Sequence, residues 1–289
     1  MAYQASSPIE VMRRHPCFDE EAHDRVGRVH LAVAPRCNIQ CAFCERRICA
    51  NLTMQHPGWA RQLLSPQEAV EMVRRLVRSR KNEDFVVGVA GPGEPLENEE
   101  TFEALNAIHR EYPSLLKCVS TNGLLLESKL PRILDVGTTA LTVTANAPDS
   151  EVGQRIYAWV RHQGMVYRGQ EAARILIANQ LRGIQAAIQA GLALKVNTVL
   201  IPGVNDQHIV RLARRLSEIG VRLMNIMPLI PSGQMSGHRP PTCEELRKAR
   251  ADCEEVIPQF RRCMHCRADA MHFPQRMTIL DRPDGTAGG

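Results

Sequence analysis

Two rhythms of apolar and polar positions alternate along this chain: short apolar runs of the β type, and longer stretches with helical spacing. The first apolar run is Val29–Ala34, VHLAVA. After it, to about Ser65, no period holds, which predicts a long loop. Loops of that length inside a compact domain usually carry function. Ser65-Pro66-Gln67-Glu68 then reads as a capping box with proline at the first helical position. Ala69, Val70, Val73, Leu76 and Val77 give one apolar face to a helix ending near Arg80. Phe85–Ala90 predicts a buried strand running into Gly91-Pro92-Gly93. A helix over 99–111, a strand over 117–120, a short helix over 128–134 and a strand over 140–144 follow. Residues 150–170 show no regular pattern. Beyond them come a helix over 171–190 stopped by Gly191, a strand over 194–201 and a helix over 206–219. A strand over 222–227, a loop over 231–241 and a helix over 242–256 complete the pattern.

Strand and helix thus alternate about six times, which predicts an α/β fold with a parallel sheet and helices outside it. A partial or complete (βα) barrel of the TIM type fits better than an open doubly wound sheet, and either places ligands at the C-terminal ends of the strands. The barrel is expected over 28–258, between a polar arm over 1–27 and a tail over 259–289. Both extensions carry cysteine, and Pro283–Gly289 reads as disordered.

Composition narrows the class. The chain has 289 residues, 44% of them hydrophobic, enough for one large core. Its net charge of +5 is spread along the length and points neither to nucleic acid nor to a membrane. No apolar signal core opens the chain and no run approaches membrane-spanning length. Ten cysteines are many, and five of them crowd between Cys17 and Cys49. That clustering suits metal ligation in a reducing compartment, hence a cytoplasmic metalloprotein.

Cys37-x-x-x-Cys41-x-x-Cys44 follows directly on the first strand, with Phe43 before the third cysteine. Three thiolates on one loop can hold three irons of a [4Fe–4S] cube and leave the fourth iron open. The open iron can take the amino and carboxylate groups of S-adenosylmethionine (SAM), and one electron passed to the sulfonium then yields a 5′-deoxyadenosyl radical. The competing reading is a zinc site with Cys49 as fourth ligand. The spacing resembles the radical SAM superfamily. In that resemblance Gly91, Gly93, Glu94 and Pro95 match the motif that receives the methionine amino group. Ser120 and Asn122 face the carboxylate and ribose, Asn146 ends the fourth strand, and Val199 and Ile201 flank the adenine. Without it, Val199 and Ile201 read equally well as strand core.

A narrower resemblance spans nearly the whole chain. His15-Pro16-Cys17, VHLAVAPRCNIQCAFC (29–44), AGPGEPL (90–96), STNGL (120–124), VNTVLIPGVND (196–206), NIMPLI (225–230) and CRADA (266–270) occur in one order. Together they resemble the NifB family of nitrogenase-cofactor maturases, in the short form without a second C-terminal domain. The resemblance implies three [4Fe–4S] clusters. One cleaves SAM, and two are substrates. It assigns Cys17, His30 and Cys118 to one substrate cluster, and Cys49, Cys263 and Cys266 to the other. It implies a methyl group transferred from one SAM, hydrogen abstraction with a second, and fusion of the two clusters around the resulting carbide with an added sulfide. It further implies an iron–sulfur donor scaffold, a reductant such as a ferredoxin, and a downstream nitrogenase assembly scaffold or carrier as partners. On residue type alone, His30 and Cys118 read as core. His23, Glu20, Glu21 and Asp24 lie near Cys17 as candidate bases. Cys243 and Cys253 read as structural. Arg36, Arg46, Arg47 and Arg267 flank ligand positions. The family's glutamate position is often aspartate, so Glu94 is a departure, and so is TANAP around Asn146. The alternatives are another radical SAM enzyme with an auxiliary cluster, for molybdenum cofactor or peptide maturation, and a non-catalytic iron–sulfur scaffold.

Overall fold

The computed structural model describes residues 7–50, 56–81, 83–263 and 265–274. The expected disorder at Pro283–Gly289 lies outside them. Among the described residues one sheet carries seven strands, six parallel and one antiparallel at the edge. The parallel strands are β1 (Gly27–His30), β2 (Phe85–Val89), β3 (Lys117–Thr121), β4 (Ala140–Thr144), β5 (Ala193–Leu200) and β6 (Met224–Pro228). They pair in chain order, and β6 does not pair with β1. The sheet therefore curls into a partial barrel and does not close. The antiparallel strand Met271–His272 covers the free edge of β1.

Helices between the strands pack on the outer face. Pro66–Ser79 starts where the capping box predicts: Ser65 Oγ accepts the Glu68 N–H at 3.2 Å, and the Glu68 carboxylate accepts the Ser65 N–H at 2.8 Å. Such a cap contributes about 1 kcal/mol. Glu99–Glu111, Leu126–Asp135, Gly169–Gln189, Ile209–Glu218 and Cys243–Glu254 follow. The main core lies between these helices and the outward strand residues, among them Val29, Val87, Val89, Val119, Leu141, Val143, Leu194 and Val196. Among the described residues no helix is long and apolar enough to cross a membrane.

Two expectations change. The predicted strand 29–34 is regular only to His30, and the loop behind it contains short strands at Ile39–Cys41, Arg47–Ile48 and Trp59–Ala60. The patternless stretch 150–170 holds a hairpin, Tyr157–His162 with Met165–Tyr167, whose first strand pairs with Ile39–Cys41. Its pattern is obscured because the hairpin packs on the loop and half of its residues face solvent. The polar arm packs against the barrel despite its composition. Its helices Pro8–Arg14 and Glu20–His23 bury Val11 and Ala22, and Val11 with Phe18 of the turn between them packs with Phe260 and Leu223 against the N-terminal end of the barrel, so it acts as a plug.

Candidate functional site

Strand alternation builds the site. In a parallel sheet, residues in register point the same way and successive residues point to opposite faces. The outward positions are the apolar residues named above. The inward ones are Arg28 and His30, Gly88, Cys118 and Ser120, Thr142 and Thr144, Lys195 and Asn197, and Met227, all lining one cavity. Barrel interiors are ordinarily filled by branched apolar side chains. Here one register row reads His30, Gly88, Cys118, Ala140, Ala193. Glycine and alanine leave room where Val or Ile would fill. The cavity has a volume of about 260 Å³ and opens to solvent at its mouth.

At the C-terminal end of the barrel stands the cysteine loop. Cys37, Cys41 and Cys44 all line the cavity, with Phe43 beside them. Gln40 ties the loop by donating to the Cys41 and Cys44 carbonyls at 2.9 and 2.8 Å, and Arg46 holds Gln40 at 3.0 Å. Burial pushes all three thiols up, Cys37 to about 11, while Arg46 pulls Cys44 back by charge and hydrogen bonding. Bare thiols are thus disfavoured as anions here, and a metal is the partner that makes them thiolates.

Gly91–Pro95 presses on this loop. Gly93 N–H donates to the Ala34 carbonyl at 2.6 Å and Glu94 N–H to the Arg36 carbonyl at 2.8 Å. A Cβ on Gly93 would stand 2.2 Å from the Arg36 oxygen. The residue that approaches Gly93 is therefore the cysteine-loop backbone. Glu94 is buried. Its carboxylate accepts from Thr121 Oγ1 at 2.5 Å, from Leu96 N–H at 3.0 Å and from Asn122 N–H at 2.6 Å. A carboxylate has about four acceptor positions, so one is left for a ligand. Burial raises its pKa to about 7 against the pull of those three donors. Pro95 starts a short 3₁₀ turn behind it.

Ser120 lies half-buried on the cavity wall. Asn122 also lines it, but its side chain is engaged, donating to Asn38 at 2.7 Å and accepting the Leu124 N–H at 2.9 Å. Asn146 is a clasp as well. Its Oδ1 accepts the Val199 N–H, its carbonyl accepts from Asn205, and its N–H donates to Tyr157 OH. Val199 lines a smaller apolar cavity with Phe43, Cys44 and Met227, whereas Ile201 is buried in the neighbouring core cluster and lines neither cavity.

Deeper in the barrel the second cysteine group converges. Cys17, His30, Cys118, Cys263 and Cys266 all line the same cavity as the loop. A Cβ on Gly88 would stand 2.6 Å from Cys118 Sγ and 3.6 Å from His30 Cδ2. Cys17 interacts electrostatically with Cys118, Cys263 and Cys266. His30 Nδ1 contacts the Arg267 carbonyl at 3.0 Å, which ties β1 to the tail. Cys49 does not line the cavity. It stands beside the tail, where its carbonyl accepts from Arg267 at 2.9 Å. Cys118, the second residue of β3, lies below the C-terminal strand ends at which the fold is expected to place ligands. Cys253 is buried in core and Cys243 is exposed, away from the site.

No motif singles out Lys195, Arg28, Gly88 or Tyr157 as site residues, and His15 stands out only beside Cys17. A period-2 signal was present in Arg28-Val29-His30 and in Lys195-Val196-Asn197, where polar and apolar residues alternate inside a strand. Among the described residues the lining carries four cations, Arg28, Arg46, Lys195 and Arg262, against the single carboxylate of Glu94. Soft thiols in a cationic, low-acid chamber suit iron–sulfur clusters. No three His, Cys, Asp or Glu side chains among the described residues converge as they would round one metal ion. A cube spreads its ligands over separate irons, so its thiolates stand further apart than those round one zinc.

Comparison with known proteins agrees. The family model of the Radical SAM superfamily matches residues 31–216. The chain superposes on the crystal structure of Streptococcus suis SuiB bound to S-adenosylmethionine with TM-score 0.57 at 12% identity, covering 84% of this chain and 52% of that one. It superposes on methylornithine synthase (PylB) with TM-score 0.55 at 14% identity, covering 88% and 68%. At such identities the likeness is one of fold. This chain is a radical SAM enzyme, with a [4Fe–4S] cluster and SAM as its cofactors. In sequence it is 46% identical over 271 residues to the FeMo cofactor biosynthesis protein NifB of Methanocaldococcus jannaschii, covering 94% of this chain and 90% of that protein. The protein of the same name from Klebsiella pneumoniae is 43% identical over 93% of this chain, which spans 60% of that longer protein. The chain belongs to the NifB family.

Proposed function

We propose that this enzyme builds the [8Fe–9S–C] precursor of the nitrogenase FeMo cofactor by fusing two [4Fe–4S] substrate clusters around a carbon atom. The observation that carries this reading is one cavity that joins the Cys37–Cys41–Cys44 loop to five further soft ligands deeper in the barrel. In this reading Cys37, Cys41 and Cys44 hold the resident cluster, which when bound supplies the electron that cleaves SAM. Cys17, His30 and Cys118 hold one substrate cluster. Cys263 and Cys266, with Cys49 beside the tail, hold the other. Each substrate cluster has three protein ligands, so few bonds break when the product leaves. Gln40 and Arg46 hold the loop in shape, Glu94 accepts from the methionine amino group, and the helices Pro8–Arg14 and Glu20–His23 keep water out from below.

The substrate chemistry balances as follows. A first SAM gives its methyl to a cluster sulfide and leaves as S-adenosylhomocysteine. The radical from a second SAM takes one hydrogen atom and leaves as 5′-deoxyadenosine. The rest of that second SAM leaves as methionine. The two remaining hydrogens depart as protons, leaving their bonding electrons on carbon. The carbon–sulfur bond breaks with its pair returning to the sulfide, the electrons that complete the carbide come from the irons and the external reductant, and one sulfide is added from outside. An iron–sulfur donor scaffold, a reductant such as a ferredoxin and a downstream cofactor carrier are the partners this requires. With SAM carrying a ¹³C or ¹⁴C methyl, the extracted cluster contains the label. A product cluster without label would end the carbide-donor proposal.

A pH dependence follows from Glu94. With its pKa raised to about 7, the carboxylate is protonated at lower pH and cannot accept from the amino group. The dissociation constant of SAM therefore rises as pH falls through 7, approaching tenfold per unit. The Glu94→Gln variant, measured by equilibrium dialysis over the same range, lacks this slope. Equal slopes in both proteins would remove Glu94 from amino-group binding.

A further inference from the structure

Lys195 has no role in the functions assigned above, yet it is among the most buried side chains, 2% exposed. Its Nζ donates to the Cys17 carbonyl at 2.6 Å and sits 5.2 and 4.7 Å from the ring centroids of Phe18 and Phe260. Among the described residues no carboxylate stands within ion-pair distance of it. A buried ammonium resting on two rings and one carbonyl lacks a counter-charge, and buried charges are ordinarily paired. Its charge acts on Cys17 and Cys118, two thiols of the deeper group.

His15 adds an independent observation. It is also 2% exposed and lines the same cavity. Its Nδ1 accepts the Cys17 N–H at 3.1 Å, so the proton of the neutral ring is on Nε2. That Nε2–H is buried with no hydrogen-bond partner among the described residues. An unpaired donor and an unpaired cation therefore flank one space, and both also hold the backbone of Cys17. Neutral Asn or Gln would satisfy the Cys17 contacts equally well. What the charge and the spare N–H add is affinity for an anion with acceptor atoms.

We propose that Lys195 and His15 form the seat of the anionic substrate cluster at Cys17, His30 and Cys118, the ammonium balancing its charge and the His15 Nε2–H donating to one of its sulfides. The inference rests on the proposed function, because it takes the occupant to be one of the two substrate clusters. Both are positioning residues: they act on how firmly the cluster sits and on how readily it is reduced. A positive charge and a hydrogen bond to sulfur each favour the reduced, more negative cluster.

The test uses the full chain in the Cys37→Ala/Cys41→Ala/Cys44→Ala background, which removes the resident cluster from the count and the spectrum. After anaerobic reconstitution this background holds about eight irons, two [4Fe–4S] clusters. Adding Lys195→Met, whose apolar stem fits between the two rings, leaves about four. Lys195→Arg restores the second cluster. His15→Asn, which keeps an acceptor for the Cys17 N–H, retains the iron, and the cluster's reduction potential by EPR-monitored titration moves more negative. A background that binds no iron overturns the two-cluster function and the seat with it. A background with two clusters, joined to a folded Lys195→Met protein of unchanged iron and potential, overturns the seat alone. If circular dichroism finds Lys195→Met misfolded, His15→Asn decides, and an unchanged potential there overturns the assignment.

Discussion

Replacing Cys37, Cys41 and Cys44 together by alanine abolishes reductive cleavage of SAM and removes about four of about twelve irons per chain. The three thiols share one short loop, packed from below by Gly93 and from the side by Gly58 and Gly233, at each of which a Cβ would meet loop-adjacent backbone oxygens within 2.9 Å. The loop is thus set by its backbone surroundings, and removing three sulfurs leaves that packing in place. Iron and acid-labile sulfide after anaerobic reconstitution, with 5′-deoxyadenosine measured by chromatography, check the result. A variant that still cleaves SAM would refute the assignment of this loop. A wild type with only four irons, all lost in the variant, would keep the radical chemistry and end the fusion of two further clusters.

The second large effect comes from one missing side chain. Gly88→Val fills the gap between His30 and Cys118, since even a Cβ would stand 2.6 Å from Cys118 Sγ. Valine suits the strand conformation, so the fold survives at a cost of about 1–3 kcal/mol from overpacking. The variant is expected to hold about eight irons where the wild type holds twelve, and to incorporate no methyl label into a product cluster. Its loss is complementary to that of the cysteine-loop variant, which spares the deeper clusters. Thermal melting separates a modest loss of stability from collapse. Full iron in a folded Gly88→Val protein would show that His30 and Cys118 do not hold a cluster between them.

Much of the frame was legible beforehand because it depends on residues close together in the chain. The capping box at Ser65 acts over three residues, and Gly191 and Gly220 stop their helices with positive φ. The apolar runs of β2 and β5 announce strands buried on their outer face. Local pattern says least where contact partners are distant in the chain. The hairpin Tyr157–Tyr167 owes its form to pairing with Ile39–Cys41, more than a hundred residues earlier, and the N-terminal helices owe their burial to Phe260 and Leu223.

The chain by itself determined the strand–helix alternation, the cysteine loop and the motif order of the NifB family, since each is written in local spacing. Only the tertiary structure decided that the barrel stays open, that the arm plugs its floor, and that Cys49 stands beside the tail, outside the chamber that Cys17, His30, Cys118, Cys263 and Cys266 share. It also decided that Lys195 is buried with no carboxylate beside it among the described residues. The physical reason is register. Curling six parallel strands brings every second residue to a common interior, and which residues meet there depends on pairings that no single segment specifies.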